Sequence, residues 1–156
     1  PILLFSGIFL TACGGVPANT IEPSHLGTST SLQNTTCSVP AQWHIQFNRS
    51  GGFAGFNESL TLDSGGNLKV QSERPAVNVQ QKMSGDQVNA ISGLLAPACP
   101  CEMKPNDVGC ADCFLYKLDI QMDGQTYVML ATDVTLTEDL HPLIDSLSQI
   151  LQDAGE

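Results

Sequence analysis

The chain has 156 residues, 42% of them hydrophobic and 14% charged, and 16 acidic against 6 basic side chains leave a formal charge of -10. This is one domain's worth of chain. With no Lys/Arg cluster, the attraction behind non-specific nucleic-acid affinity is replaced by repulsion, so no nucleic-acid partner is expected, and polybasic attachment to an anionic membrane is excluded by the same sign.

Residues 2–12, Ile-Leu-Leu-Phe-Ser-Gly-Ile-Phe-Leu-Thr-Ala, carry no charge. As helix they would reach about 16 Å against a hydrocarbon core of about 30 Å, too short to span a bilayer. The length suits the apolar region of a secretory signal, and Thr11 and Ala12 supply the small side chains that a signal peptidase needs. Residues 1–12 are therefore expected to be a signal peptide whose basic leading region lies upstream of Pro1. Leu10-Thr11-Ala12-Cys13 resembles the lipobox of bacterial lipoproteins, which implies lipidation of Cys13 and an extracytoplasmic protein anchored to the cell envelope. Dual acylation would hold it stably where a single chain is marginal.

From Gly14 to Thr36, 15 of 23 residues are Gly, Pro, Ser, Thr or Asn. Such a stretch cannot bury enough apolar area to order itself, and residues 13–36 read as a tether with a reach of roughly 26 Å. Residues 37–156 should form the folded domain.

Trp43, Ile45 and Phe47 alternate with His44, Gln46 and Asn48, the period of a strand with one buried face. Arg49-Ser50-Gly51-Gly52-Phe53-Ala54-Gly55 interrupts it, its glycines permitting a reversal into a second strand through Leu60 and Leu62. Ser64-Gly65-Gly66-Asn67 is a turn before a third strand through Leu68 and Val70. Ser84 and Gln87 have capping-box spacing, and Val88, Ile91, Leu94 and Leu95 predict a helix that Pro97 stops. Phe114, Tyr116, Leu118, Ile120 and Met122 define a strand, Asp123-Gly124 a tight turn, and Tyr127–Ala131 the return strand. Leu140, Leu143, Ile144, Leu147, Ile150 and Leu151 form the apolar stripe of a last helix, which starts at Pro142 or kinks there one turn after a Thr137 cap. The predicted order is three strands, helix, two strands, helix. Without a regular βαβ alternation, the fold class is α+β: an antiparallel sheet with two helices packed on one face.

Six cysteines demand an account. Beyond Cys13, the set Cys37, Cys99, Cys101, Cys110 and Cys113 is odd in number, and its last four members have the spacing C-x-C-x8-C-x2-C. In a reducing compartment that spacing suggests a tetrahedral thiolate site for zinc; in an exported chain the thiols pair instead. All five are therefore disulfide candidates, and no metal or other cofactor is assigned. One of Cys99 and Cys101 could pair with one of Cys110 and Cys113, or Cys37 could tie the first strand to this region.

Catalytic patterns are lacking: there is no H-E-x-x-H, G-x-S-x-G, P-loop or G-x-G-x-x-G. His25 falls in the tether, His44 on the outward strand face and His141 at a helix start. Glu138-Asp139 suit a helix dipole. The chain is expected not to be an enzyme.

The glycine-rich turn has two readings. It is a structural reversal with Phe53 folded onto the core, or it is a presented loop in which Phe53 or Phe56 anchors a partner beside Arg49, both residue types being common at interface hot spots. The segment Ile45-x-Phe47-x-Arg49-Ser50-Gly51-Gly52-Phe53-Ala54-Gly55 is similar to the strand-and-turn signature of the emfourin family, proteinaceous inhibitors of protealysin, a thermolysin-like metalloprotease. Tyr116-x-Leu118-x-Ile120 with its Asp-Gly turn, and Leu140-x-Pro142-Leu143-Ile144-x-x-Leu147, fit the same pattern, so the resemblance covers most of residues 41–151. The lipobox, the tether and the cysteine-rich stretch near 97–113 are additions to the family's plain cytosolic form. The resemblance implies a folded domain that occludes the cleft of a zinc metalloprotease. Arg49, Ser50, Gly51, Gly52 and Phe53 are the candidate contact residues. The alternative is a non-inhibitory surface lipoprotein that binds an envelope or secreted protein.

Overall fold

In the computed structural model, which describes residues 37–100 and 109–155, the alternation at Trp43 opens the central strand of a six-stranded sheet. Strand β1 (Trp43–Gly51) pairs on one side with β2 (Phe56–Asp63) and on the other with β5 (Phe114–Met122). Beyond β2 lie β3 (Asn67–Glu73) and β4 (Ala76–Lys82), beyond β5 lies β6 (Gln125–Thr132), and every pairing is antiparallel. The order across the sheet is β4-β3-β2-β1-β5-β6. Helix α1 (Gly85–Ala98) carries the chain from the β4 edge back toward the centre, and α2 (His141–Asp153) follows β6. All described residues belong to the compact unit Gln33–Glu156.

One parity of each inner strand is apolar, and that parity makes the core. Ile45, Phe47, Leu60, Leu62, Val70, Leu118, Ile120 and Met129 are almost wholly buried together with Ile91 and Leu95 of α1 and Leu143, Ile144 and Leu147 of α2. They form a single cluster, as the α+β class with helices on one face requires. Each such side chain contributes about 1.5–3 kcal/mol through its removal from water. Trp43 is buried with its indole N–H donating to Ser92 Oγ on α1 at 3.1 Å, which joins the start of β1 to the helix. The opposite parity, including Gln46, Asn57, Gln71 and Gln121, faces out and is mainly polar, the usual solvated face of an antiparallel sheet.

The predicted capping box is present: Gln87 N–H donates to Ser84 Oγ at 3.3 Å, and Ser84 N–H to Gln87 Oε1 at 2.9 Å. Three expectations need correction. Four strands precede α1, because Ala76–Lys82 forms the edge strand β4. Helix α1 does not stop before Pro97 but holds it in its last turn and ends at Ala98, where Cys99 takes a left-handed conformation. Glu138 and Asp139 belong to a 3₁₀ turn, Glu138–Leu140, and α2 starts at His141 with Pro142 in its first turn, where a missing N–H costs nothing. Among the described residues no helix is long and apolar enough to cross a membrane.

Candidate partner-binding site

The reversal between β1 and β2 is made by Gly52-Phe53-Ala54-Gly55, closed by Gly55 N–H donating to the Gly52 carbonyl at 3.1 Å. Gly52 and Gly55 both have positive φ, at 66° and 63°. An L-residue pays for that region, so glycine fixes the turn's shape. Phe53 stands at the tip with 98% of its surface exposed. It does not fold back onto the core, which removes that part of the structural reading of this turn. Val134 and Val128, the other exposed large apolar side chains among the described residues, lie after and on β6.

Under the loop is a closely packed base. Gly51 faces the start of β5 so closely that a Cβ there would sit 2.6 Å from the Cys113 carbonyl oxygen, and one on Gly52 would sit 3.0 Å from the Phe114 ring. That approach lets Gly52 N–H donate to the Cys113 carbonyl at 3.0 Å. Phe114 in turn lies 5.9 Å from Phe56 and 6.3 Å from Tyr116, centroid to centroid.

Arg49 is not presented. It is 7% exposed, with Nε and Nη2 both against Glu58 Oε2 at 2.8 and 2.6 Å and the guanidinium 5.0 Å from the Phe114 ring centre. The β1–β2 register places Arg49 directly opposite Glu58, and Glu58 is 6% exposed. A paired, stacked Arg at this depth supports the loop and cannot be its contact residue, which corrects its place among the candidates. Ser50, one position along, is half-buried on the other face of the sheet. Of the five candidates, only Phe53 offers a large exposed side chain, with Gly51 and Gly52 shaping its approach.

Asp133 completes the base. Its two carboxylate oxygens accept from Phe114 N–H at 2.8 Å and from the Tyr116 hydroxyl at 2.5 Å. Burial, and then the hydrogen bond and charge of Asp133, push the Tyr116 phenol well above its ordinary range. The sequence reading missed Glu58 and Asp133. Glu58 had a signal, since a four-residue reversal at 52–55 sets Arg49 opposite it; Asp133 lies in the turn after β6, where no periodicity marks it.

The described cysteines pair as Cys37–Cys99 and Cys110–Cys113, with Cα atoms 5.0 and 5.7 Å apart. The first bond ties the entry to the domain onto the end of α1, where Cys37 N–H also donates to the Ala96 carbonyl at 3.2 Å. Of the two pairings open from the sequence, the tie through Cys37 is found, and the staple from Cys99 or Cys101 to Cys110 or Cys113 is not, because Cys110 and Cys113 pair with each other. Three members of the four-cysteine set are consumed, which leaves no four-thiolate zinc site. Among the described residues, no group of three or more His, Cys, Asp or Glu could hold a metal ion. Cys13 and Cys101, with the signal and tether assigned to residues 1–36, lie outside the described residues.

At the far end of the sheet from Phe53 is an open polar cleft of about 760 Å³, lined among others by Trp43, His44, Asp63, Asn67, Gln121 and Asp123. Asp63 is held below the usual carboxylate range chiefly by the Asn67 side-chain amide, which donates to it at 2.8 Å. That pair closes the β2–β3 turn and brings no reactive group into the cleft.

The chain matches no known family model and no curated protein.

Proposed function

We propose that this domain is a lipid-anchored, extracytoplasmic inhibitor of a thermolysin-like zinc metalloprotease, held to the envelope through Cys13 and acting without catalysis by placing its β1–β2 loop in the protease cleft. The observation that carries the reading is Phe53, 98% exposed at the tip of a glycine turn. An exposed phenyl ring on a monomer forgoes the burial available to it, and here the turn is braced by Arg49, Glu58 and Phe114. A rigid anchor of this kind binds without a large ordering cost. Within the turn, Gly52, Ala54 and Gly55 add only one methyl group beside Phe53, which suits a narrow cleft. The similarity of residues 45–55 to the emfourin signature supplies the partner class.

The test is a titration of the full chain, with its disulfides intact, against thermolysin and a protealysin-type enzyme, following hydrolysis of a small peptide. Inhibition should saturate while the chain stays uncleaved. Phe53→Ala should raise the inhibition constant by about 30-fold, the equivalent of roughly 2 kcal/mol at an interface hot spot. Full protease activity at a large molar excess of the chain would refute inhibition and leave a binding module for another envelope or secreted protein. An inhibition constant unchanged in Phe53→Ala would move the contact elsewhere.

A further inference from the structure

The two disulfides differ in what can reach them. Thiol–disulfide exchange begins with a thiolate attacking one sulfur in line with the bond that breaks, so an accessible sulfur is required. Cys99 is 7% exposed, and its partner Cys37 is half-buried beside the end of α1. Cys110 is exposed, and Cys113, three residues later, is half-buried. A thiolate arriving from solvent therefore meets Cys110, and Cys113 is the leaving group.

Cys113 is also the residue on which the Phe53 loop rests. Its carbonyl accepts from Gly52 N–H at 3.0 Å and faces Gly51 too closely for any side chain, and the next residue, Phe114, lays its ring against Gly52. Past Phe114, β5 is held from both sides, by β1 and by Asp133. On the other side of Cys113, the turn through Asp112, with φ at 62°, is closed covalently by the disulfide.

We propose that Cys110–Cys113 is a thiol–disulfide exchange site for an external dithiol of the oxidoreductase class, and that its state sets whether the Phe53 loop is held in its presented form. The second part concerns the loop on which the inhibitor reading depends, and rests on that reading only where inhibition is measured. In the step itself, one thiolate of the dithiol attacks Cys110 Sγ, forming a mixed disulfide as the Cys110–Cys113 bond breaks and its electron pair leaves on Cys113 Sγ. The second thiolate then attacks its own partner's sulfur and releases Cys110. The dithiol is oxidised by two electrons to a disulfide, the protein pair is reduced by the same two, and the two protons of the dithiol end on Cys110 and Cys113. With two residues between them the thiols stay adjacent, so a disulfide oxidant of the same class closes the bond again.

The full chain is exposed to reduced dithiothreitol for increasing times, quenched with N-ethylmaleimide and mapped by peptide mass. Cys110 and Cys113 should become alkylated at least tenfold faster than Cys37 and Cys99. If Cys37–Cys99 opens first, or both bonds open together as the domain unfolds, the exchange site is refuted. On the singly reduced protein and on Cys110→Ser/Cys113→Ser, hydrogen exchange at the Gly52 amide should quicken about tenfold or more while Ile45 and Phe47 keep their protection. An unchanged Gly52 rate in both would refute the coupling to the loop. Inhibition is then compared in the two redox states. Weaker inhibition after selective reduction supports the coupling, whereas inhibition that is absent in both states counts against the inhibitor reading alone, the alkylation and exchange results still deciding this one.

Discussion

One disulfide sits at the end of α1 and the other beside the β1–β2 hairpin, and the two bonds act on different quantities. Cys37–Cys99 spans 62 residues of sequence and binds the domain entry to α1, whereas Cys110–Cys113 spans three. A crosslink stabilises by removing freedom from the unfolded chain, and the longer loop removes more. The helix end is therefore where covalent chemistry sets global stability, while at the hairpin end it sets the local position of Cys113. Beyond that bond, the hairpin end is braced by non-covalent contacts: a buried ion pair, packed rings and a carboxylate shared by two donors.

The largest expected effect breaks the helix end. Cys37→Ala/Cys99→Ala should cost about 4 kcal/mol and Cys110→Ala/Cys113→Ala about 2 kcal/mol or less, by the loop-entropy relation. Urea midpoints of the two double variants give the comparison directly. Equal losses would show that the short bond has a global role that the separation of three residues does not supply.

Next comes the ion pair. Glu58→Gln leaves the Arg49 guanidinium buried without its charge partner, and such a break costs about 3 kcal/mol. Replacing both residues with apolar ones of similar volume, as in Arg49→Met/Glu58→Leu, should recover most of that stability because neither charge then needs solvating. If the double variant is no better than Glu58→Gln alone, the pair organises the Phe114 packing in a way its charges do not explain.

Two glycines sharpen the contrast within the hairpin end itself. Gly51 and Gly55 both have positive φ, at 92° and 63°, yet a Cβ on Gly51 would meet the Cys113 carbonyl at 2.6 Å and one on Gly55 would meet open space. Gly55→Ala should cost only the conformational penalty, about 1 kcal/mol, and Gly51→Ala about 2 kcal/mol or more as β1 and β5 are pushed apart. Thermal midpoints of the two variants decide whether close approach or backbone conformation governs the loop.

What the sequence discloses about these two ends is uneven for physical reasons. The core strands are legible because Trp43, Ile45 and Phe47, and then Tyr116, Leu118 and Ile120, keep a strict two-residue period, and a one-residue slip would turn that whole face to water. The capping box at Ser84 is local, so its four residues suffice to read it. Strand β4 is an edge strand whose only apolar members, Ala76, Val77 and Val79, are at most half-buried, so burial imposes little pattern on it. Arg49 shows the opposite failure. Its type and its place beside a glycine turn suit an exposed contact, and only its register against Glu58 reveals that it is buried. The disulfide pairing depends on α1 bringing Cys99 to Cys37 across 62 residues, which spacing alone cannot express.

A smaller effect tests the Asp133 clasp by pH. The Tyr116 phenol ordinarily ionises near pH 10, and burial with the Asp133 hydrogen bond raises that value in the folded state. A raised pKa favours the protonated form, so above pH 10 the unfolded chain loses its proton first and binds fewer protons than the folded one. Stability from this group is complete below pH 10 and falls as pH rises toward the folded value. Urea midpoints between pH 8 and pH 11 should decline more steeply for the native chain than for Tyr116→Phe; parallel curves would place the alkaline sensitivity elsewhere.

The smallest stability effect belongs to Phe53, the residue proposed to anchor the partner. Phe53 is 98% exposed, so its truncation removes almost no buried area, and Phe53→Ala should change the unfolding free energy by no more than about 0.5 kcal/mol. The same substitution is expected to weaken inhibition strongly. A measured loss of more than about 1 kcal/mol in stability would mean that the ring packs against the domain in solution, and the loop would then be a structural turn. A neutral change in stability beside a large change in inhibition would instead separate the two roles of the hairpin: Arg49, Glu58 and Phe114 hold the loop, and Phe53 is what the loop presents.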